Sequence, residues 1–526
     1  MTLSRINASA ATLTKNRTEG SISAISGMCA TCIDGCIGMC EIGKSAYRGT
    51  EAIYPQPFGI ITTGAEKNYP VDLSHFTILG SVVGAKGIEE SSDKAIFTNV
   101  NLERKIGIDG SIKIKLPIIL GAMGSTAIAK NNWEGLAIGA AITGIPLTIG
   151  ENVCGMDPGS KIVNGEVIHS PELERRVKLY RDWQQDGYGI VVLQTNIEDT
   201  KLRVDKYAIS QLGVEAIELK WGQGAKDIGG EVKIEDLNRA RMLKERGYIL
   251  LPDPDSPAVV EAFKQGRFTE FERHSRVGMV TEEGFLARVE ELRKRGAKYV
   301  SLKTGAYRPA DLARALKFCS KAKVDLLTVD GAGGGTGMSP WRMMNEWGLP
   351  GVHLWSLLFK FAERLAAKGE HLPDIAIAGG FVFEDQIFKG LALGAPYVKV
   401  ITMARAPMAA AMVGKTIGKR MAEKQVPVYI ERFGTTPEEV FITAPALRQR
   451  FGNDFERIPT GALGLYTYMQ RLDQGLRQIM AGSRKFALEY ITRDDIAALT
   501  EEAAKVSGIC YVTEVDKEEA YKILGI

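Results

Sequence analysis

The feature that most constrains how this 526-residue chain can fold is a recurrence of short apolar runs separated by longer amphipathic stretches. From about residue 111 the runs are PIILGA (117–122), PLTIG (146–150), GIVVLQ (189–194), AIELKW (216–221), KYVSLKT (298–304), DLLTVD (325–330), DIAIAGG (374–380) and PYVKVIT (396–402). Unbroken apolar runs of this length are what parallel strands look like when helices cover both faces of their sheet. The text between them, such as 126–141, 203–213, 308–320, 354–369 and 404–422, is helical in character. Eight βα units over about 300 residues predict an α/β chain closed as a TIM (β/α)8 barrel. An open doubly wound sheet is the alternative; the count of eight and the polar residues at strand ends favour closure.

Further regions flank the barrel. Residues 1–45 are a polar leader with a cysteine-rich segment, 46–110 an irregular lead-in, 111–425 the barrel, and 426–526 a mostly helical C-terminal region. Charged helical text over 227–290 interrupts the βα rhythm and is expected to be an insertion. A net charge of +3 gives no electrostatic reason for a nucleic-acid or anionic-membrane partner. No apolar run approaches the roughly 18 residues of a membrane span. With no apolar h-region at the start, the chain is expected to be cytoplasmic.

Four of the seven cysteines, Cys29, Cys32, Cys36 and Cys40, lie within twelve residues as CATCIDGCIGMC. Thiols packed this tightly without an export signal point to metal rather than disulfides. Thiolate serves both iron–sulfur clusters and zinc. Four consecutive cysteines, with Gly35 and Gly38 to bend the backbone, suit one loop around a 4Fe–4S cluster. Structural zinc and non-metal roles are the alternatives. Cys154, Cys319 and Cys510 read as small buried residues.

In a barrel of this kind chemistry sits where the strands end. LGAMGSTAIA (120–129) places Gly121, Ala122, Met123, Gly124 and Ser125 where a flat ring could approach the backbone, although a tight turn explains it too. In ELKWGQGAKDIGGE (218–231), Lys220 ends a buried strand and needs an anionic partner, with Gln223 and Lys226 on the loop beyond. Two ammonium groups and an amide on one rim suit a dicarboxylate or an anionic flavin; a solvated loop with a snorkelling lysine is the plainer reading. TVDGAGGGTGMSP (328–340) can wrap peptide N–H groups around anionic oxygens. IAGG (377–380) and VITMARAP (400–407) end the seventh and eighth strands, the usual phosphate position. There Gly379, Gly380 and the amides near Met403 and Ala404 can hold a phosphate, with Arg405 either adding charge or lying on the helix surface.

Together and in this order the motifs resemble the FMN-binding synthase domain of glutamate synthases, over roughly 111–425. ELKWGQGAKDIGG is similar to that family's Lys-x-x-Gln-Gly-Ala-Lys-Pro-Gly stretch. DGAGGGTGMSP is similar to its Asp-Gly-Gly-Thr-Gly-Ala-Ser-Pro stretch, and the later WGLPGVHLW continues the match. LGAMGSTA and TIGENVCGMDP are similar to its Gly-Ala-Met-Ser and Thr-Gly-Glu-Gly runs. The resemblance implies FMN, with Gly121 to Ser125 lining the ring and Lys303 near it. It implies that Lys220, Gln223 and Lys226 face the flavin and a 2-oxo acid, with Glu151 at the rim. Gly334, Gly335, Gly379, Gly380 and Met403 would take the ribityl phosphate side, and Asp330 and Ala404 complete the cofactor-binding set.

The implied reaction reduces 2-iminoglutarate, made from 2-oxoglutarate and ammonia, to glutamate, with electrons relayed through the cluster. An oxidoreductase or synthase acting on another amine or an N-alkyl amino acid, N-methylglutamate synthase-like, is the alternative. An electron-transfer or scaffold subunit is a third. The family's cysteines come after the eighth strand, where this chain has MAAAMVGKTIGKRMAEKQ; the N-terminal quartet is the candidate replacement. Asp227 and Ile228 stand where the family has Pro-Gly. With no N-terminal Cys nucleophile and no G-x-G-x-x-G after a strand, electrons are expected from ferredoxin or a reductase subunit. Ammonia would come from solution or a glutaminase subunit, in a homo-oligomer or a larger complex.

Overall fold

The computed structural model of the protein describes residues 33–38, 40–49, 69–89, 91–222, 231–332 and 347–526. Eight parallel strands close on themselves: β1 (Ile118–Met123), β2 (Leu147–Ile149), β3 (Val191–Thr195), β4 (Ala216–Lys220), β5 (Tyr299–Thr304), β6 (Leu326–Asp330), β7 (Asp374–Ala378) and β8 (Val398–Met403). Each lies within its apolar run or one residue beyond it. Closure is direct, since β8 pairs with β1 at Thr402 and Ile119, so the chain forms a TIM barrel and not an open sheet.

The principal helices are α1 (Glu41–Arg48), α2 (Ala127–Thr143), α3 (Pro171–Arg181), α4 (Val204–Leu212), α5 (Glu282–Arg295), α6 (Pro309–Ala322), α7 (Gly351–Ala366), α8 (Glu384–Leu393), α9 (Arg405–Ala422) and α10 (Thr460–Gly482). Their ends are set by local chemistry. Thr126, Ser170 and Thr281 cap α2, α3 and α5 with side-chain oxygens, and Pro171 pre-sets the first turn of α3. Left-handed Gly144 and Gly296 end α2 and α5.

The interruption after β4 differs from the expected charged helices. It holds a three-stranded antiparallel sheet, with Phe271–His274 between Glu231–Ile234 and Ile249–Leu251, and helices Leu237–Glu245 and Pro257–Lys264. Its own small core includes Ile234, Leu243, Tyr248, Leu250 and Phe271. Helix α5, which begins within the expected 227–290 span, belongs to the barrel instead, because Phe285, Val289 and Leu292 join the main core.

The lead-in is more ordered than its composition suggests. A hairpin, Arg104–Ile106 with Ile112–Ile114, closes the amino end of the barrel. Its isoleucines pack on Ile119, Val192, Ala216, Tyr299, Leu326, Ala376 and Val400, an apolar floor. Phe76–Ile78 pairs antiparallel with Ile496–Ala498 and ties the lead-in to the C-terminal region. In that region α10 packs against α1, α2 and α9. Cys154 and Cys319 are buried as expected; Cys510 is instead exposed, in a segment whose backbone is held where the Ala498 N–H donates to the Cys510 carbonyl at 2.8 Å. Among the described residues no helix is long and apolar enough to cross a membrane. With the floor filled and the flanks covered, the carboxyl rim is the end left for chemistry.

Candidate active site at the carboxyl rim

Strand register sets two lysines side by side. Lys220 at the end of β4 pairs with Lys303 on β5, which pairs in turn with Thr328 on β6. Lys220 is not a snorkelling surface lysine: its side chain is 13% exposed, and its Nζ lies 2.5 Å from Glu151 Oε1. Glu151 comes just after β2 and its backbone fits against the end of β1, because a Cβ on Gly124 would stand 2.5 Å from the Glu151 carbonyl oxygen.

Lys303 is buried, with Nζ 3.1 Å from Asp330 Oδ2. Burial opposes its charge, but Asp330, Glu218 and Glu151 outweigh that and hold the ammonium above its ordinary pKa. Burial likewise pushes the Glu218 carboxyl up, against the pull of Lys303 and of the Gln194 amide, which donates to it at 2.6 Å. Charged side chains from four strand ends thus converge under one rim.

The opposite arc of the rim is bare backbone. Gly379 and Gly380 have φ of 123° and 103°, which side-chain-bearing residues rarely adopt. A Cβ on Gly379 would lie 2.8 Å from the Gly331 carbonyl oxygen. Beside it, Met403 ends β8, Ala404 sits at the N-cap position of α9, and among the described residues no side-chain cap bonds the helix's first amides. Arg405 opens that helix and is half-buried. Among the described residues, the buried Gln194 Oε1 and Thr402 Oγ1 have no hydrogen-bond partner. Two lysines, the Thr402 hydroxyl and the start of α9 can donate to an anionic nucleotide such as FMN, and Gln194 Oε1 can accept from a ring N–H. A cavity of about 530 Å³ opens beside Lys220, between Trp221, Asn196 and Tyr307.

Of the residues singled out from sequence, Gly121 to Ser125, Glu151, Lys220, Lys303, Asp330, Gly379, Gly380, Met403 and Ala404 all lie at this rim. Gln223, Lys226, Gly334 and Gly335 lie outside the described residues, as do Cys29 and Cys32. Cys36 and Cys40 are described. Gly38 N–H points to Cys36 Sγ at 3.5 Å, Gly35 and Gly38 take positive φ, and Cys40 immediately precedes α1. The segment docks beside the rim, because Asp34 accepts from Asn131 and Asn132 of α2 at 2.8 and 3.0 Å. Those two asparagines lie in the first turns of α2, the helix that leaves the end of β1. Half-buried Cys36, held by an N–H and flanked by glycine turns, fits a thiolate ligand.

Residues 273–415, from the insertion's last strand into α9, match the family model described as the conserved region in glutamate synthase. Over that stretch the chain is similar to glutamate synthases. Curated relatives include the glutamate synthase large subunit-like protein YerD of Bacillus subtilis, 29% identical over 36% of this chain and 32% of that protein. Another is an archaeal NADPH glutamate synthase of Archaeoglobus fulgidus, 25% identical over 58% of this chain and 50% of that protein. The chain therefore spans half or less of the length of those relatives. Among solved structures, a mutant flavocytochrome b2 with pyruvate bound superposes at a TM-score of 0.47 and 12% identity, over 85% of this chain and 82% of that one. A mandelate oxidase with (S)-2-phenylpropionate gives 0.44 and 14%, over 80% and 86%. At these scores the likeness bears on neither cofactor nor substrate.

Sequence reasoning missed Glu218 and Gln194. Both interrupt otherwise apolar strand runs, AIELKW and GIVVLQ, and a polar residue inside such a run was the available signal. It also missed Asn152 and Asp199, whose contact spans 47 residues and leaves no local trace.

Proposed function

We propose that this chain is an FMN- and iron–sulfur-dependent oxidoreductase that reduces 2-iminoglutarate to glutamate. The observation that carries the reading is the Lys220–Lys303 register at the rim of a family-matched barrel, each lysine facing a carboxylate. Bound FMN would supply the hydride for the imine carbon, and the balancing proton comes from solvent or a rim acid.

The chain's own groups supply position and charge. Lys303 would set a positive charge at the flavin site, held there by Asp330 and Glu218. Lys220 Nζ can turn from Glu151 to donate to a carboxylate of the 2-oxo acid, assisted by Gln223 and Lys226. Gly121 to Ser125 would border the ring, and the Gly379–Gly380 and Met403–Ala404 amides would hold the phosphate. The apolar floor under the barrel keeps water from reaching the site from below. Cys29, Cys32, Cys36 and Cys40 would hold the cluster, and the docking of Asp34 on α2 supports a place for it near the rim.

Full-length protein reconstituted anaerobically with FMN, iron and sulfide, then given reductant, ammonium and 2-oxoglutarate, should form glutamate. A flavin-loaded protein that forms none overturns the substrate assignment. Asp227 and Ile228, where the family has Pro-Gly, favour a second reading with an N-alkyl amino acid as substrate. Bleaching of bound flavin by N-methylglutamate but not by glutamate would select it.

A further inference from the structure

We propose that Asn152, Asp199 and Tyr248 are positioning residues that set Glu151 against Lys220, so that the insertion after β4 is part of the mount of the reaction centre. The backbone beside Glu151 is strained. Asn152, its neighbour, has φ 65° and ψ 11°, a left-handed conformation that costs a residue with a side chain about 1 kcal/mol. Such a residue keeps that shape only where its surroundings hold it.

Two buried groups hold it. The Asn152 N–H donates to Asp199 Oδ2 at 2.9 Å, and the Tyr248 hydroxyl donates to Asn152 Oδ1 at 3.1 Å. Asp199 comes from the short helix after β3 and also receives the Asn196 N–H at 3.4 Å. Tyr248 comes from the insertion. Asn152, Asp199 and Tyr248 are 3%, 2% and 4% exposed, so none is a solvated contact. A buried polar group left without its partner costs more than the bond contributes, which makes the arrangement specific.

The approach of the insertion is built into the sequence. A Cβ on residue 155 would stand 1.9 Å from the Tyr248 hydroxyl oxygen, so glycine there admits the tyrosine. Met156 enters the insertion's own apolar core. Arg246 donates to the carbonyls of Gly155 and Asp157 at 2.8 Å each and of Ser160 at 3.1 Å. The one-turn helix Val153–Met156, just beyond Glu151, is therefore gripped from the insertion side. On its other side the Glu151 backbone rests against Gly124. Arg273, also from the insertion, is 1% exposed, and its charge acts on Asp199 and Glu151 together. These contacts fix the Glu151 carboxylate at its 2.5 Å separation from Lys220 Nζ.

The inference rests on the Glu151–Lys220 pair of the proposed site but not on the identity of cofactor or substrate. It is tested on the ligand-free full chain by timed acetylation with acetic anhydride, reading Lys220 by peptide mass spectrometry. Lys244 on the insertion and Lys298 at the barrel floor serve as controls. Glu151→Gln should label Lys220 fastest. Tyr248→Phe, which removes one hydroxyl, should label it about threefold faster than the unaltered protein, within what one hydrogen bond is worth. Asp199→Asn should behave alike, with the control lysines unchanged in both variants. An unaltered Lys220 rate in Tyr248→Phe and Asp199→Asn, or in Glu151→Gln, overturns the proposal. So does a rise shared by Lys244 and Lys298, which would make the contacts merely structural. Failure to bind FMN would sink the proposed function and leave this result readable.

Discussion

At the amino end of the barrel, Asp374 Oδ2 accepts the Gly107 N–H at 2.9 Å, and Asp325 takes the amides of Val300 and Ile108 at 2.9 and 3.3 Å. At the carboxyl end, Lys303 faces Asp330 and Lys220 faces Glu151. Both ends bury charge, and burial holds Asp325, Asp374 and Glu218 alike above the usual carboxyl range. The partners differ. Peptide amides of the hairpin and β5 cannot leave their carboxylates without unfolding the floor. An ammonium on a flexible stem can turn from a carboxylate to a ligand. The same residue types therefore fasten one end and equip the other.

The largest effect that would break this contrast is at Lys303. Lys303→Met leaves Asp330 and Glu218 buried without their cation and should cost about 3–5 kcal/mol in urea unfolding. A loss below about 1 kcal/mol would mean that the rim charges are not coupled. Next, Lys220→Met should lower kcat/KM for glutamate formation about 100-fold, an electrostatic contribution near 2.7 kcal/mol, with little change in stability. At the other end, Asp374→Ala orphans the Gly107 amide and should cost about 2 kcal/mol of stability without changing FMN affinity. If FMN affinity falls as well, the two ends are not separable.

The smallest effect concerns pH. Burial holds Asp199 up at about 7, only partly offset by the amides of Asn152 and Asn196. A carboxyl raised in the fold contributes its stability fully below the ordinary carboxyl pKa and loses it as pH rises through the folded value. Between pH 6 and 8 the protein should lose about 1 kcal/mol for this reason, and Asp199→Asn should flatten that slope in a melting series.

The barrel was legible because its strands are buried on both faces, so each run such as PIILGA or DIAIAGG stands out without reference to partners. The insertion's sheet was not. Its strands are three or four residues long, and text such as FERH alternates too briefly to separate from charged helix. Lys220, Lys303 and the Gly379–Gly380 pair could be read because strand-end position and glycine content are local properties. The partners of the lysines could not: Glu151 meets Lys220 across 69 residues, and which face of β4 carries Glu218 depends on the closed sheet. Cys510 was misread for the converse reason, since thiols are usually buried and only the fold shows this one at the surface.

The central claim, that the carboxyl rim takes an anionic flavin nucleotide, is tested most directly by titrating the full chain with FMN and following flavin fluorescence. The account predicts saturation at one FMN per chain, affinity weakened about tenfold in Lys303→Met by loss of the positive charge at the flavin site, and no change in Asp374→Ala. Absence of saturable binding, or equal affinity in all three proteins, would contradict it.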